Sequence, residues 1–349
     1  MRPTCTWSER LLKLLTEPLL SLDHVGQVFH TAQGDARALD DVSLSIQAGQ
    51  VLCLVGESGS GKTTSAKIAA GLRRPTTGSV RYMGRDIWSL GKDDRREYRR
   101  AVQYIHQDPY ASLNPVHTVF DTLGTPLRHH GHVKTRAQAV ERARELLARV
   151  DLTPTENFLF KYPHQLSGGQ RQRVSVARAL TLNPRLIAAD EATSMLDVSI
   201  RVSLLNMLRR LSSELGVGFL FITHDLAIAK YFAWDGHIAV MYLGRIVEYG
   251  PTPQVISAPR HPYTRALLGA IPEPDPDLTR GRERVSLRQA EIPSLTRVPP
   301  GCAFHPRCPL FEPGICDVVR PELLRLEEEQ SVACHVVVRD HALVPDVVA

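Results

Sequence analysis

Gly56-Glu57-Ser58-Gly59-Ser60-Gly61-Lys62-Thr63 fits the phosphate-binding pattern G-x-x-x-x-G-K-[ST] without a gap. The apolar run Val51-Leu52-Cys53-Leu54-Val55 before it reads as a buried strand. Thr64 to Leu72 after it reads as a helix with small and apolar residues on one side. Strand, glycine loop and helix together are the context this pattern requires. The glycines let backbone N–H groups turn inward onto a phosphate, and the helix N-terminus adds the positive end of its dipole. In such a loop Lys62 reaches the β and γ phosphates, the Thr63 hydroxyl meets Mg²⁺, and Thr64 completes the binding set. The stretch therefore reads as a nucleoside triphosphate site.

Outward from the loop, Val25 to Phe29 and the strictly alternating Val42-Ser43-Leu44-Ser45-Ile46 read as strands. Thr135 to Val150 reads as a capped amphipathic helix, with Ala139, Ala143, Leu146, Leu147 and Val150 on one face. Leu186 to Ala189 and Gly218 to Ile222 read as buried strands, with a helix from Val202 to Leu215 between them. Short apolar runs alternating with helices predict an α/β fold, a parallel sheet covered on both faces. Near residue 258 prolines become dense (Pro259, Pro262, Pro272, Pro274, Pro276, Pro293, Pro299, Pro300) and periodicity weakens. The reading therefore divides the chain into a lead-in at 1–18, a nucleotide-binding domain at 19–257 and a C-terminal region at 258–349.

Composition excludes several classes. The chain has 349 residues, 43% hydrophobic and 23% charged, which is ordinary for a globular protein with a substantial core. A net charge of +5 at this length gives no case for nucleic acid, and Arg95-Arg96-Glu97-Tyr98-Arg99-Arg100 reads as a solvated helix face. No run approaches the roughly 18 continuous apolar residues of a membrane span. Glu9, Lys13 and Glu17 interrupt the leucines at 11, 12, 14 and 15, which argues against a secretory signal. The expectation is a cytosolic chain whose membrane connection comes through a partner. Cys5 and Cys53 stand alone, whereas Cys302, Cys308, Cys316 and Cys334 fall close together, a clustering that suggests metal in a reducing compartment.

Leu186-Ile187-Ala188-Ala189-Asp190-Glu191 is an apolar strand ending in two carboxylates. Behind a phosphate loop, Asp190 suits Mg²⁺ and Glu191 suits a general base that polarises the attacking water. Ser167-Gly168-Gly169-Gln170, heading the helix at Arg171 to Leu180, is a second anion-binding nest. With the preceding motifs it resembles the signature of ATP-binding cassette (ABC) proteins. His106-Gln107-Asp108-Pro109 looks like the glutamine loop of that family, Ser194-Met195-Leu196-Asp197 like the loop after the catalytic Glu, and Ile222-Thr223-His224-Asp225 like the switch histidine. Phe29 matches the aromatic residue that stacks on adenine. Met195 departs from the small residue often seen at its position and leaves the catalytic residues intact.

The resemblance implies a P-loop fold with a parallel-sheet core, an antiparallel N-terminal β-subdomain and a helical subdomain carrying the signature. It also implies a head-to-tail dimer in which ATP lies between Lys62 of one chain and Ser167 to Gln170 of the other. Glu191 would orient water, His224 would contact the γ-phosphate, and Gln107 would sense Mg²⁺ and pass closure to a membrane partner.

Ala258-Pro259-Arg260-His261-Pro262-Tyr263-Thr264, Pro300-Gly301-Cys302-Ala303-Phe304-His305-Pro306-Arg307-Cys308-Pro309 and Gln107 to Pro115 closely resemble the ATPase subunits of dipeptide, oligopeptide and nickel importers. The implied partners are a second, identical or related, ATPase subunit, two integral membrane permeases and an extracytoplasmic solute-binding protein, with the chain peripheral on the cytoplasmic side of the membrane. The cysteines at C-x₅-C-x₇-C-x₁₇-C suit tetrahedral Zn²⁺ or a [4Fe–4S] cluster. The family resemblance implies the cluster. His305 and His335 read as flanking residues, and His129, His130 and His132 as a solvated loop. The alternative function is a soluble ABC ATPase acting on nucleic acid or ribosomes. Its long-insert versions carry coiled coils between loop and signature, whereas here that gap is about a hundred residues without sustained heptads.

Overall fold

The computed structural model describes residues 17–32, 34–271, 286–326 and 329–343. Most of the lead-in, Cys5 and the prolines at 272, 274 and 276 lie outside the described residues. The described residues form twelve strands: β1 (Leu20–Thr31), β2 (Gly34–Ile46), β3 (Val51–Val55), β4 (Thr77–Tyr82), β5 (Arg85–Asp86), β6 (Val102–Ile105), β7 (Leu186–Asp190), β8 (Gly218–Thr223), β9 (His237–Tyr242), β10 (Arg245–Pro251), β11 (Leu324–Arg325) and β12 (Ser331–Val332). They build an antiparallel sheet ordered β2-β1-β4-β5 and a larger sheet ordered β11-β12-β10-β9-β3-β8-β7-β6. In the larger sheet β6, β7, β8, β3 and β9 are parallel, and β10, β12 and β11 continue it antiparallel.

Every residue of β7 and β8 is buried, as expected of strands covered on both faces. The period-two geometry of β3 divides its side chains between two cores. Cys53 and Val55 face a core shared with the helices Val119–His129, Arg136–Arg149 and Gly168–Leu180. Leu52 and Leu54 face the opposite core, under the antiparallel sheet and the helix Lys62–Ala69. The helix at Arg136–Arg149 starts where the sequence pattern placed it, and Thr135 and Gln138 cap it reciprocally.

The C-terminal region is sewn into this framework. β12 pairs with β10 at Glu248↔Val332 and Tyr249↔Ser331. Phe304 and Cys308 belong to the same core as β3 and β8. Glu248 is fully buried, and burial raises its pKa. Its carboxylate accepts the backbone N–H groups of Arg260 (2.7 Å) and His261 (3.0 Å) and the Gln330 amide (2.9 Å), which compensates its desolvation.

His261 in turn caps the helix Pro262–Gly269, its Nδ1 accepting the Tyr263 N–H at 3.0 Å. An accepting ring is neutral, and burial holds His261 near a pKa of about 3 against the ordinary 6.5. The unfolded chain takes up this proton below about 6.5 and the folded chain does not until about 3, so acid favours unfolding across that window. Urea unfolding at stepped pH is expected to show stability falling from 6.5 downward, by roughly 1.4 kcal/mol per pH unit from this ring. His261→Asn, which keeps a capping acceptor without a titrating ring, is expected to flatten that slope. An unchanged slope refutes the assignment.

Candidate nucleotide-binding and hydrolytic site

The phosphate loop closes by backbone conformations that glycine alone adopts without strain. Gly61 has φ +104°, and a Cβ there would come within 2.4 Å of the Ala38 carbonyl oxygen. Gly56 has φ +159°, and a Cβ there would fall 2.1 Å from the Met241 carbonyl oxygen. Inside the loop Lys62 is buried, and its Nζ donates to the carbonyls of Gly56 and Glu57, both at 2.8 Å, and more weakly to Ser60 Oγ at 3.4 Å. Burial lowers the Lys62 pKa, and the charges of Glu191, Asp190 and Glu57 oppose that shift. The ammonium is thus held at the centre of the loop, ringed by acceptors.

Parallel pairing brings the other groups to the same edge. Val55 lies opposite Thr223 and Asp190 opposite Ile222, so the ends of β3, β8 and β7 coincide. The Thr63 hydroxyl donates to Asp190 Oδ1 at 2.8 Å. Tyr104, on β6, donates to Asp190 Oδ2 at 2.7 Å. Glu191, next along the chain, has φ +44°, an uncommon conformation for a non-glycine residue and one that recurs at functional sites. Its carboxylate receives the Gln107 amide at 2.9 Å and lies 3.2 Å from His224 Nδ1. Asp190, Glu191, Gln107, His224 and Thr63 thus form one continuous polar constellation behind Lys62.

The hard oxygens of Thr63 and Asp190 suit Mg²⁺, which takes one or two protein ligands and completes its shell with phosphates and water. Gln107, expected to sense the ion, donates its side-chain amide to the neighbouring Glu191 carboxylate. Phe29 is half-buried, and the Arg73 guanidinium lies over its ring at 4.8 Å. The signature residues stand apart from this constellation. Ser167 is exposed, and it and Gln170 cap their own helix reciprocally (3.0 and 3.3 Å). Gly169 is needed for packing, because a Cβ would fall 2.6 Å from Ile200 Cγ2. Tyr104 escaped the sequence reading, since an aromatic in a short strand reads as core.

The expected four-cysteine metal site requires a correction. Cys308, Cys316 and Cys334 are buried and Cys302 half-buried. Burial pushes the Cys302 and Cys308 thiols up to about 11 and about 12, with further upward pressure from the neighbouring cysteines. Cys302 and Cys308 pack with the main core, Cys316 and Cys334 form a smaller cluster with Val332 and Val336, and the Cys302 N–H donates to the Cys316 carbonyl at 2.8 Å. Yet among the described residues no group of three or more His, Cys, Asp or Glu side chains is spaced to hold a metal ion. They do not fit a single tetrahedral Zn²⁺.

Residues 39–194 match the family described as ABC transporter, and residues 247–316 match the oligopeptide/dipeptide transporter C-terminal region. A probable peptide ABC transporter ATP-binding protein of Sinorhizobium fredii is 46% identical over 309 residues, covering 88% of this chain and 85% of the relative. The chain belongs to the ABC transporter ATP-binding proteins. A putative oligopeptide transport ATP-binding protein of Bacillus subtilis is 43% identical over 319 residues, covering 91% and 95% of the two chains. Among solved structures, a dimeric ABC cassette in a post-hydrolysis state with ADP and phosphate is similar at a TM-score of 0.60 and 30% identity. The match covers 67% of this chain and 98% of that one. This chain is accordingly an ATPase of the ABC fold.

Tyr104 supports Asp190 from the side away from Thr63, and such outer partners typically tune metal affinity tenfold or more. Tyr104→Phe is therefore expected to raise the Mg²⁺ concentration for half-maximal ATPase by about tenfold while leaving the thermal midpoint nearly unchanged. An unchanged Mg²⁺ requirement refutes the role.

Proposed function

We propose that this chain is the energy-coupling subunit of a peptide importer, hydrolysing ATP at a composite site formed by two cassettes head to tail. The observation that carries the reading is the Glu191 carboxylate held between Gln107 and His224, one residue beyond the Asp190–Thr63 pair and beside Lys62. Lys62 and the loop at Gly56, Glu57, Ser58, Gly59, Ser60 and Gly61 bind the β and γ phosphates, with Thr63 and Thr64 at the helix start and Phe29 against adenine. Thr63 and Asp190 would hold Mg²⁺, which would supply neutralising charge for phosphoryl transfer. Glu191 takes the proton of the attacking water, while Gln107 and His224 fix the carboxylate's direction. Ser167, Gly168, Gly169 and Gln170, exposed or half-exposed at their helix start apart from the buried Gly169, supply the second wall of the partner's site.

The match to the oligopeptide/dipeptide C-terminal region and the names of the relatives support peptides as the solute class. Among the described residues no helix is long and apolar enough to cross a membrane. Two integral-membrane permeases would therefore supply the path, an extracytoplasmic binding protein would deliver the solute, and this chain would sit at the cytoplasmic face. A groove of about 810 Å³, lined by Gln103, Tyr104, His106, Asn114 and Arg178 among others, suits a docking permease segment.

For the four thiols we propose the [4Fe–4S] cluster that the family resemblance implies, since such clusters are held by four Cys thiolates. Protein purified without oxygen is expected to contain iron and sulfide, and protein lacking both overturns that assignment. For the ATPase, Glu191→Gln is expected to retain ATP binding, lower turnover by about a hundredfold and abolish uptake of a labelled peptide by cells. Near-parental turnover removes Glu191 as the base, and unchanged peptide uptake removes the importer reading.

A further inference from the structure

Glu57, the second residue of the phosphate loop, is gripped from outside the nucleotide-binding core. The Arg307 guanidinium donates to both of its carboxylate oxygens, Nη1 to Oε2 at 2.8 Å and Nη2 to Oε1 at 3.0 Å. The Glu57 backbone N–H donates to the Tyr263 hydroxyl at 2.9 Å. Its carbonyl accepts from Lys62 Nζ at 2.8 Å. One residue thereby joins the lysine that meets phosphate to two side chains of the C-terminal region. The grip is rigid. The Arg307 side chain is 6% exposed, and its guanidinium lies 5.8 and 5.7 Å from the ring centres of Tyr242 and Phe304. Tyr242, Tyr263 and Phe304 also pack on one another, with centroids 4.6 to 5.4 Å apart.

A carboxylate inside a loop built for a polyanion is an electrostatic liability. It repels phosphate and competes for Lys62. A bidentate Arg cancels that charge and fixes the carbonyl on which Lys62 rests. We infer that the C-terminal region is a working part of the nucleotide site, with Arg307 a positioning residue that neutralises Glu57 and so sets the affinity for ATP. This rests on the reading of residues 56–63 as the triphosphate loop.

The test is ATP affinity of the full chain, measured with Mg²⁺ and a fluorescent ATP analogue, for four variants beside the parent. Arg307→Ala uncovers the Glu57 charge and is expected to weaken binding about tenfold at low salt, with the deficit shrinking as NaCl is raised. Glu57→Gln leaves a cation near the phosphates and is expected to bind as tightly as the parent or more tightly. The double variant, Arg307→Ala with Glu57→Gln, is expected to return to within about threefold of the parent, since neither charge remains. A merely structural Arg307 would leave the double variant as weak as Arg307→Ala and insensitive to salt, and that result overturns the inference.

If Arg307→Ala loses its cooperative thermal transition, Arg307→Lys and Arg307→Gln replace it. Lysine is expected to preserve affinity and glutamine to lose it, whereas equal affinities overturn the proposal. Lys62→Ala separates the two levels. If it binds ATP as the parent does, the loop reading fails. If it loses ATP while Arg307→Ala binds normally, only the role of Arg307 fails.

Discussion

Parallel pairing of β3, β8 and β7 is the constraint on which the site depends. Val55 opposite Thr223 and Asp190 opposite Ile222 bring three strand ends level, so that a glycine loop, two carboxylates and His224 emerge at one edge. The register is not free to slip. β7 and β8 are buried along their whole length, and β3 sends alternate residues into two different cores. A shift of one residue would exchange those faces and separate Lys62 from Asp190.

Within that frame the loop is preformed around its own lysine. The three donors of Lys62 have three acceptors in the loop, which offsets the desolvation that lowers its pKa. The same logic of satisfied burial appears at Glu248, whose carboxylate gathers backbone and amide donors and secures the C-terminal region to β10. From that anchor run the His261 cap and the Tyr263 contact to the loop.

Contiguous chemistry was legible in the sequence. The phosphate loop, the Asp190-Glu191 pair, the buried strands at β3, β7 and β8 and the helix after Thr135 all announce themselves within a few residues. What escaped was either short or distant. β6 is four residues long and follows an Arg-rich helix, and glycines at 244 and 250 interrupt the apolar pattern around β9 and β10. Tyr104, Tyr263 and Arg307 act on residues 86, 206 and 250 positions away, and no local pattern carries such pairings. The cysteines show the opposite limit. A backbone hydrogen bond joins Cys302 to Cys316, yet spacing along the chain does not determine how far apart the sulfur atoms are held.

The reciprocal cap at Ser167 has a consequence for what that turn can still do. Its hydroxyl oxygen accepts the Gln170 N–H, and its own N–H is taken up by the Gln170 side chain. A hydroxyl has two lone pairs and one proton, and the cap uses only a lone pair. The proton remains unspent on an exposed side chain at a positive helix end. An anion arriving there can therefore be met by a full donor without any loosening of the helix behind it, because holding the helix and greeting a ligand fall to different parts of the same side chain.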